Sequence, residues 1–566
     1  MFRGNTPAAL LLLASSLLSG TAFAQQAAPG VIDRGTEELP LPEGFGLGDD
    51  IPAPLYPEPE LDSLQASNEI IATLSSIEFM GSSVIKSDEL QKASLPYIGS
   101  PLTKDDIARL KYDLTALFYD RGHILVKVTT PPQDISDGTL LIKIYEARVG
   151  EIHIHDSDDT LSSWVSNSAA SLVEPGTVFQ ERSVETMVSD LNDLKNVEAH
   201  VTLKPGPTFG TTDLHVTVNK AEEDSYYAQV DNYGNELTGK NVATVYMEKS
   251  NLLSAGETIH VTARRSDDEL WSANVGIKIP TPINNVNFEA DYLYSHNDIG
   301  DRLAAQSQEG TTNRASVALS KNLINTRDQK VNLRGGLEAR RHKTTIFGQT
   351  DSVDDIRQAF IDLSYLQRTT NSVWYAAARL TKGLDGLGAN KDHPNIPLLP
   401  QSASSSRLLG DPYAAKFEPT LLGYWRPFDN SVFKLLIRGQ LASSTLLSSD
   451  LFVLGGYGSV RGFEPAEEVG ESGFSFTTEY SHELPIDEDW TVTMGPWFDG
   501  GAIFNRLEGQ AQDNHLYSAG LGLEASTDLI PVGETMVRLD WAHPLGAYAS
   551  PDVNDDTVYF RIKQIF

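Results

Sequence analysis

The chain has 566 residues, too many for one ordinary domain, so a large unit joined to smaller modules is expected. It contains no cysteine, which excludes disulfides, thiolate nucleophiles and cysteine-ligated zinc. Its 77 Asp and Glu against 44 Lys and Arg give a formal charge of -33, which excludes nucleic acid as a partner because phosphate binding needs a cationic surface. Solvated loops and a polar interior explain the acidity, with calcium in acidic loops as the alternative.

The N-terminus reads Met1-Phe2-Arg3, an apolar run from Ala8 to Leu18, then Thr21-Ala22-Phe23-Ala24. A positive start, an apolar core and an Ala-x-Ala ending make residues 1–24 a secretory signal peptide. No later run approaches the roughly 18 to 20 apolar residues of a spanning helix. If the protein spans a membrane it must therefore do so as a closed barrel, the other fold that satisfies every backbone group in lipid. Residues 25–72 are rich in proline and acid, as in Ile51-Pro52-Ala53-Pro54, and read as an extended linker.

Residues 73–148 form a small mixed module. Ile77 to Gly81 reads as a strand, Asp88 to Leu95 as a short helix, and Thr103 to Asp120 as a longer helix capped by Thr103 with Asp105 and Asp106 in its first turn. Leu110, Leu114, Leu117 and Phe118 recur at helical spacing, a core stripe. His123 to Thr129 and Thr139 to Tyr145 alternate as strands. Residues 149–221 repeat the order: Val149 to His155, helices over Leu161 to Leu172 and Gln180 to Leu194, then strands Val197 to Lys204 and Thr212 to Val218. Strand, helix, helix, strand, strand resembles a POTRA domain, here twice in tandem. The expected fold class is mixed: two small α/β POTRA domains here, followed by what the strands and the resemblance below imply, a transmembrane antiparallel β-barrel of about 16 strands.

From 222 to 566 the period is two. Val286, Phe288, Ala290, Tyr292 and Tyr294 alternate with Asn287, Glu289 and Asp291; Val537, Leu539 and Trp541 alternate with Arg538 and Asp540. A soluble sandwich would alternate in the same way, so the pattern alone does not decide. Runs of nine to twelve residues match the roughly 9 to 11 that a tilted strand needs to cross the hydrocarbon. Strands starting near 225, 240, 257, 270, 286, 311, 330, 356, 373, 417, 431, 473, 491, 515, 535 and 557 make about sixteen, an even number as in bacterial barrels. Connections alternate between short ones, such as 322–329, and long ones, such as 382–416 and 442–472. Phosphate-binding loops, a serine-hydrolase elbow and paired histidine ligands are not evident, so no catalytic, cofactor or metal role is assigned.

The long connection after the eleventh strand carries Gly455-Gly456-Tyr457-Gly458-Ser459-Val460-Arg461-Gly462-Phe463. Glycine tolerates the positive φ of a tight tip, so Arg461 sits at the apex of a folded-back loop. Its guanidinium needs a counter-ion. Asp499, in Phe498-Asp499-Gly500-Gly501, is the candidate, and Glu479 shares the parity of a second acceptor. In a wet lumen such a pair contributes about 0–1 kcal/mol; in a dry one, removing one partner costs roughly 3–5 kcal/mol.

Val460-Arg461-Gly462-Phe463 followed by Phe498-Asp499-Gly500-Gly501 resembles the paired signature of the outer-membrane superfamily that includes BamA and the two-partner secretion transporters of the FhaC, ShlB and HecB kind. That resemblance implies that the sixth external loop folds into the lumen and that Arg461 meets Asp499 there. It implies a barrel in the outer membrane, POTRA domains in the periplasm, and export of a large β-helical exoprotein that adds as a strand to a POTRA sheet edge, with His123 to Thr129 and Val197 to Lys204 as candidate edges. Family members often plug the barrel with an N-terminal helix, yet no amphipathic helix precedes the prolines here. The terminal Phe560, Ile562 and Phe566 resemble the signal read by the barrel-insertion machinery, although Gln564 departs from it. A monomer is expected. The alternative is an assembly factor like BamA or TamA, and those usually carry three or more POTRA domains.

Overall fold

The computed structural model describes residues 70–566 apart from 157–161, 196, 221–223, 254–255, 268–269, 282, 284, 301–303, 306, 391–404, 408–409, 487–489, 507–513, 529–532 and 547–555. The expected signal peptide, and the linker up to residue 69, lie outside the described residues. Two compact units make up the chain, the paired α/β domains and the barrel.

The first domain runs β1 (Ile70–Thr73), β2 (Ser76–Met80), α1 (Ser87–Ser94), β3 (Pro101–Thr103), α2 (Lys104–Tyr119), β4 (Val126–Thr129) and β5 (Thr139–Glu146). Its main sheet has the order β2-β5-β4, with β1 and β3 forming a separate pair. The predicted stripe Leu110, Leu114 and Phe118 of α2 is buried against Leu140, Ile142 and Ile144 of the central strand. Thr103 caps α2 reciprocally: the Asp106 amide donates to Thr103 Oγ1 at 3.2 Å, and the Thr103 amide donates to Asp106 Oδ2 at 2.9 Å. Those hydrogen bonds from Thr103 hold the Asp106 carboxyl below its ordinary value.

The second domain repeats the design with β6 (Arg148–Asp156), α3 (Ser162–Leu172), α4 (Glu181–Asn192), β7 (Val197–Pro205) and β8 (Thr211–Lys220), ordered β6-β8-β7. Each three-stranded sheet has its last-but-one element in edge position, so β4 and β7 are both edges. The first edge is shorter than the alternation of His123 to Thr129 suggests. Ile124 is instead buried in the core of the second domain, and His123 Nδ1 lies 3.0 Å from the Phe179 carbonyl. The Glu181 amide donates to the Gly122 carbonyl, and the Phe179 amide to the Ala147 carbonyl, both at 2.8 Å. These residues join the two domains rather than extend a ladder.

Sixteen antiparallel strands close the barrel, from Ser225–Asp231 to Thr557–Ile565, and the last pairs with the first through Arg561 opposite Asp231 and Ile562 opposite Val230. Closure decides between barrel and sandwich. Leu337, Val317, Ile361, Leu539 and Trp541 are exposed on the outer wall, while Arg538, Asp540, Thr477 and Glu338 are buried inside. An apolar outer wall and a polar inner one require lipid outside. Several strands exceed the expected nine to twelve residues: Gln308–Asn325 and Gln329–Ile346 have 18, and Gln349–Thr369 has 21. Polar stretches such as Asp351 to Asp355 continue the ladder past the apolar band, which a reading based on apolar alternation leaves out.

Replacing Thr103 by Ala is expected to cost about 1 kcal/mol of first-domain stability at pH 7. Because the folded Asp106 pKa is depressed, its contribution is present above the ordinary carboxylate pKa and is lost as pH falls through the folded value. Denaturant titration of both forms should therefore show the gap narrowing at acid pH.

Candidate functional site

The long connection between the eleventh strand, Ser431–Ala442, and the twelfth, Ser472–Pro485, turns back into the barrel. Its base is a small hairpin, Phe452–Leu454 paired with Glu468–Gly470. At its tip Gly455 has φ 112° and Gly462 has φ 89°, values that L side chains rarely adopt. A Cβ at Gly455 would also lie 2.4 Å from the Glu464 carbonyl oxygen. Val460 and Phe463 are buried with Leu454, Ile503 and Leu516, so the apolar members of the motif anchor the tip to the barrel wall. Gly462 donates its amide to the Tyr559 hydroxyl at 2.9 Å, which fixes the backbone beside Arg461.

Arg461 reaches Asp499 on the thirteenth strand, Trp490–Phe504. Its Nε donates to Asp499 Oδ2 at 2.7 Å and its Nη2 to Oδ1 at 3.0 Å, while the backbone amide adds a bond to Oδ2 at 3.2 Å. This two-pronged fit is the geometry in which arginine binds carboxylate best. The guanidinium also stacks over Trp497, its carbon 3.6 Å from the ring centroid. With Arg461 4% exposed and Asp499 1%, the site is dry.

The second hydrogen-bonding acceptor is Asp540, whose Oδ1 takes Arg461 Nη1 at 3.2 Å. Glu479, the candidate from the sequence, lies 3.6 Å from the same nitrogen and accepts a hydrogen bond from Arg538 at 2.7 Å. Arg538 also donates to both oxygens of Asp540, and Arg561 donates to Glu524 at 2.8 Å. Tyr457 stacks on Tyr233, centroids 3.6 Å apart, and donates to Asp540 at 3.0 Å. Asp540, Arg538, Trp497, Tyr457 and Tyr559 thus belong to the site, and sequence reasoning missed them. One signal was available: Arg538 and Asp540 occupy the inward parity of their strand beside outward Leu539.

A second cluster holds the loop base. Asp450 accepts from Lys416 at 2.8 Å, Arg340 at 3.1 Å and Gln358 at 3.2 Å, and Gln440 donates to the carbonyls of Asp450 and Glu471 at 2.9 Å. Arg407, from the preceding long connection, donates to Glu471 at 2.7 Å. At the chain end, Ile562 and Phe566 are exposed and Phe560 is half-buried on the final strand.

A model of the family described as haemolysin secretion/activation protein ShlB/FhaC/HecB matches residues 210–525, more than half of the chain. The chain belongs to this family. The ShlB-type POTRA domain model matches residues 72–147. Among relatives, the chain is 23% identical over 483 residues to the heme/hemopexin transporter protein HuxB of Haemophilus influenzae, covering 81% of each. It is 23% identical over 538 residues to the outer membrane transporter CdiB of Escherichia coli, covering 91% of this chain and 86% of that one. The solved structure of CdiB from Escherichia coli shares the fold, with a TM-score of 0.73 at 20% identity over 91% of this chain and 94% of that chain. As in the ShlB/FhaC/HecB family, the barrel lies in the outer membrane with the POTRA domains in the periplasm.

Arg461→Ala is expected to destabilise the detergent-solubilised barrel by about 3–5 kcal/mol, because it strands a buried Asp499. Heat or denaturant unfolding should show Arg461→Ala/Asp499→Ala losing much less than the sum of the two single variants.

Proposed function

We propose that this chain exports one large partner exoprotein from periplasm to cell surface, and that the tip of the sixth loop is the gate. The observation that carries this is the dry, two-pronged pairing of Arg461 with Asp499 inside a closed barrel. A lumen occupied by its own loop does not pass an unfolded chain, so the loop must leave. A single-residue ion contact is a suitable fastening, since it holds at a defined geometry and exchanges partners without breaking the hydrogen-bonded wall.

The client is an extended chain that adds as a strand to β4 or β7, each an edge of its sheet. Main-chain hydrogen bonds supply affinity there, and side-chain pockets along the edge supply selection. The exoprotein folds as a β-helix outside, and that folding makes transport one-way without a nucleotide. Phe560, Ile562 and Phe566 are read by the insertion machinery during assembly. The transporter works as a monomer because one chain closes the barrel. HuxB is named a heme/hemopexin transporter, and this chain shares the task of moving a partner rather than that particular cargo.

Deleting the gene should remove one large protein from the medium, and re-expression should restore it. A chain lacking residues 73–221 should still insert as a heat-modifiable barrel and secrete nothing. If outer-membrane barrels decline instead while every exoprotein persists, the chain is an assembly factor and the export reading fails.

A further inference from the structure

While the loop is in place, charges of both signs gather around the pairing of Arg461 with Asp499. Arg461, Arg538, Arg561 and Lys434 face Asp499, Asp540, Glu479 and Glu524: ion pairs join the three arginines to the four carboxylates, and Lys434 stands opposite Glu479 in the strand register. Withdrawal of the tip takes Arg461 away, admits water and leaves a surplus carboxylate on the inner wall. That state favours another cation moving in, with the modest strength of an ion pair in a wet lumen.

One cation is placed to do so. Arg438, on the eleventh strand, points to the inner face with Lys434 and Gln440. Among the described residues it has no ion pair with a carboxylate, and its guanidinium donates to the Gly458 carbonyl, an acceptor that departs with the tip. The register runs Arg438 opposite Ser475 opposite Gly501, one pleat along from Leu436 opposite Thr477 opposite Asp499. Two strand spacings and two residues of rise put the Arg438 and Asp499 Cα atoms about 12 Å apart, a span that an extended arginine and an aspartate cover between them. The inward positions between them, Ser475, Thr477 and Gly501, are small. Leu454 of the loop's own hairpin lies over Gly501, so the path clears when that part of the loop moves with the tip.

We infer that Arg438 is a positioning residue for transport: when the tip releases, it loses the Gly458 carbonyl, swings across the twelfth strand and pairs with Asp499, so that the carboxylate Arg461 leaves behind regains a cation. This rests on the reading of the loop tip as the gate. A merely structural Arg438 would restrain the tip through Gly458, and its loss would favour opening. The exchange predicts the opposite sign.

Single-channel recording of the full chain in planar bilayers reads that sign, with heat-modifiable migration as the check on folding. Arg438→Gln keeps a donor for Gly458 and removes the charge; it is expected to shorten openings by up to about fivefold, the scale of an ion pair in a wet lumen, and to lower secretion in step. Arg438→Lys should restore most of the open lifetime. Unchanged or longer openings in Arg438→Gln overturn the exchange. Arg461→Ala distinguishes this from failure of the gate itself: it should raise the frequency of opening, and if it leaves gating unaltered the loop-gate reading falls first.

Discussion

Everything in the barrel depends on the last strand finding the first. Hydrocarbon offers no partner to an unpaired amide, so an open sheet of this length could not rest in a bilayer, and the pairing of the final strand with Ser225–Asp231 removes both edges at once. Closure then dictates where chemistry can be. With a period of two, every outward apolar residue has inward neighbours, and the inward ones meet either water or one another. The sequence puts arginine, lysine and carboxylates there, and a loop that fills the space turns a wet wall into a dry one.

Drying changes what those charges are worth. Exposed to water, Arg461 and Asp499 would contribute little; buried, each is costly without the other, and so the loop position and the ion pair determine one another. The same reasoning explains the company they keep. Trp497 covers one face of the guanidinium, Tyr559 holds the adjacent amide, and Arg538 shares Glu479 and Asp540 with Arg461. At the base of the loop Asp450 draws three donors from three different strands, so the base and the tip are fastened by separate clusters. The positive φ at Gly455 lies between them, where the backbone can change direction without a side-chain clash.

Much of this was legible in the residues. Strand starts, the count of sixteen, the loop that carries Arg461 and the strand that carries Asp499 follow from alternation and turn chemistry, because both are local. The cap on α2 was equally plain, since Thr103 and Asp106 are three residues apart. What was not legible is register. Asp540 meets Arg461 across 79 positions in the chain, and no local pattern states which inward residue of one strand faces which on the next. Glu479 drew attention by its inward parity with Ser475 and Thr477, and it does lie 3.6 Å from Arg461, yet Asp540 is the one that takes the hydrogen bond. The domain joint was missed for a related reason: His123 and Ile124 continue a strand-like alternation, but tertiary packing against Phe179 and its neighbours outweighs that local preference.

The absence of cysteine from the sequence permits a direct look at the gate. Ser459 is buried at the loop tip, where its hydroxyl bonds to the Gly455 amide and carbonyl at 2.8 Å, and Ser459→Cys introduces one thiol of similar size there. Intact cells would be treated with a membrane-impermeant thiol reagent with and without the partner exoprotein being secreted. The account predicts protection in resting cells and rapid labelling during secretion. A thiol that stays protected while the exoprotein passes at its full rate would contradict it.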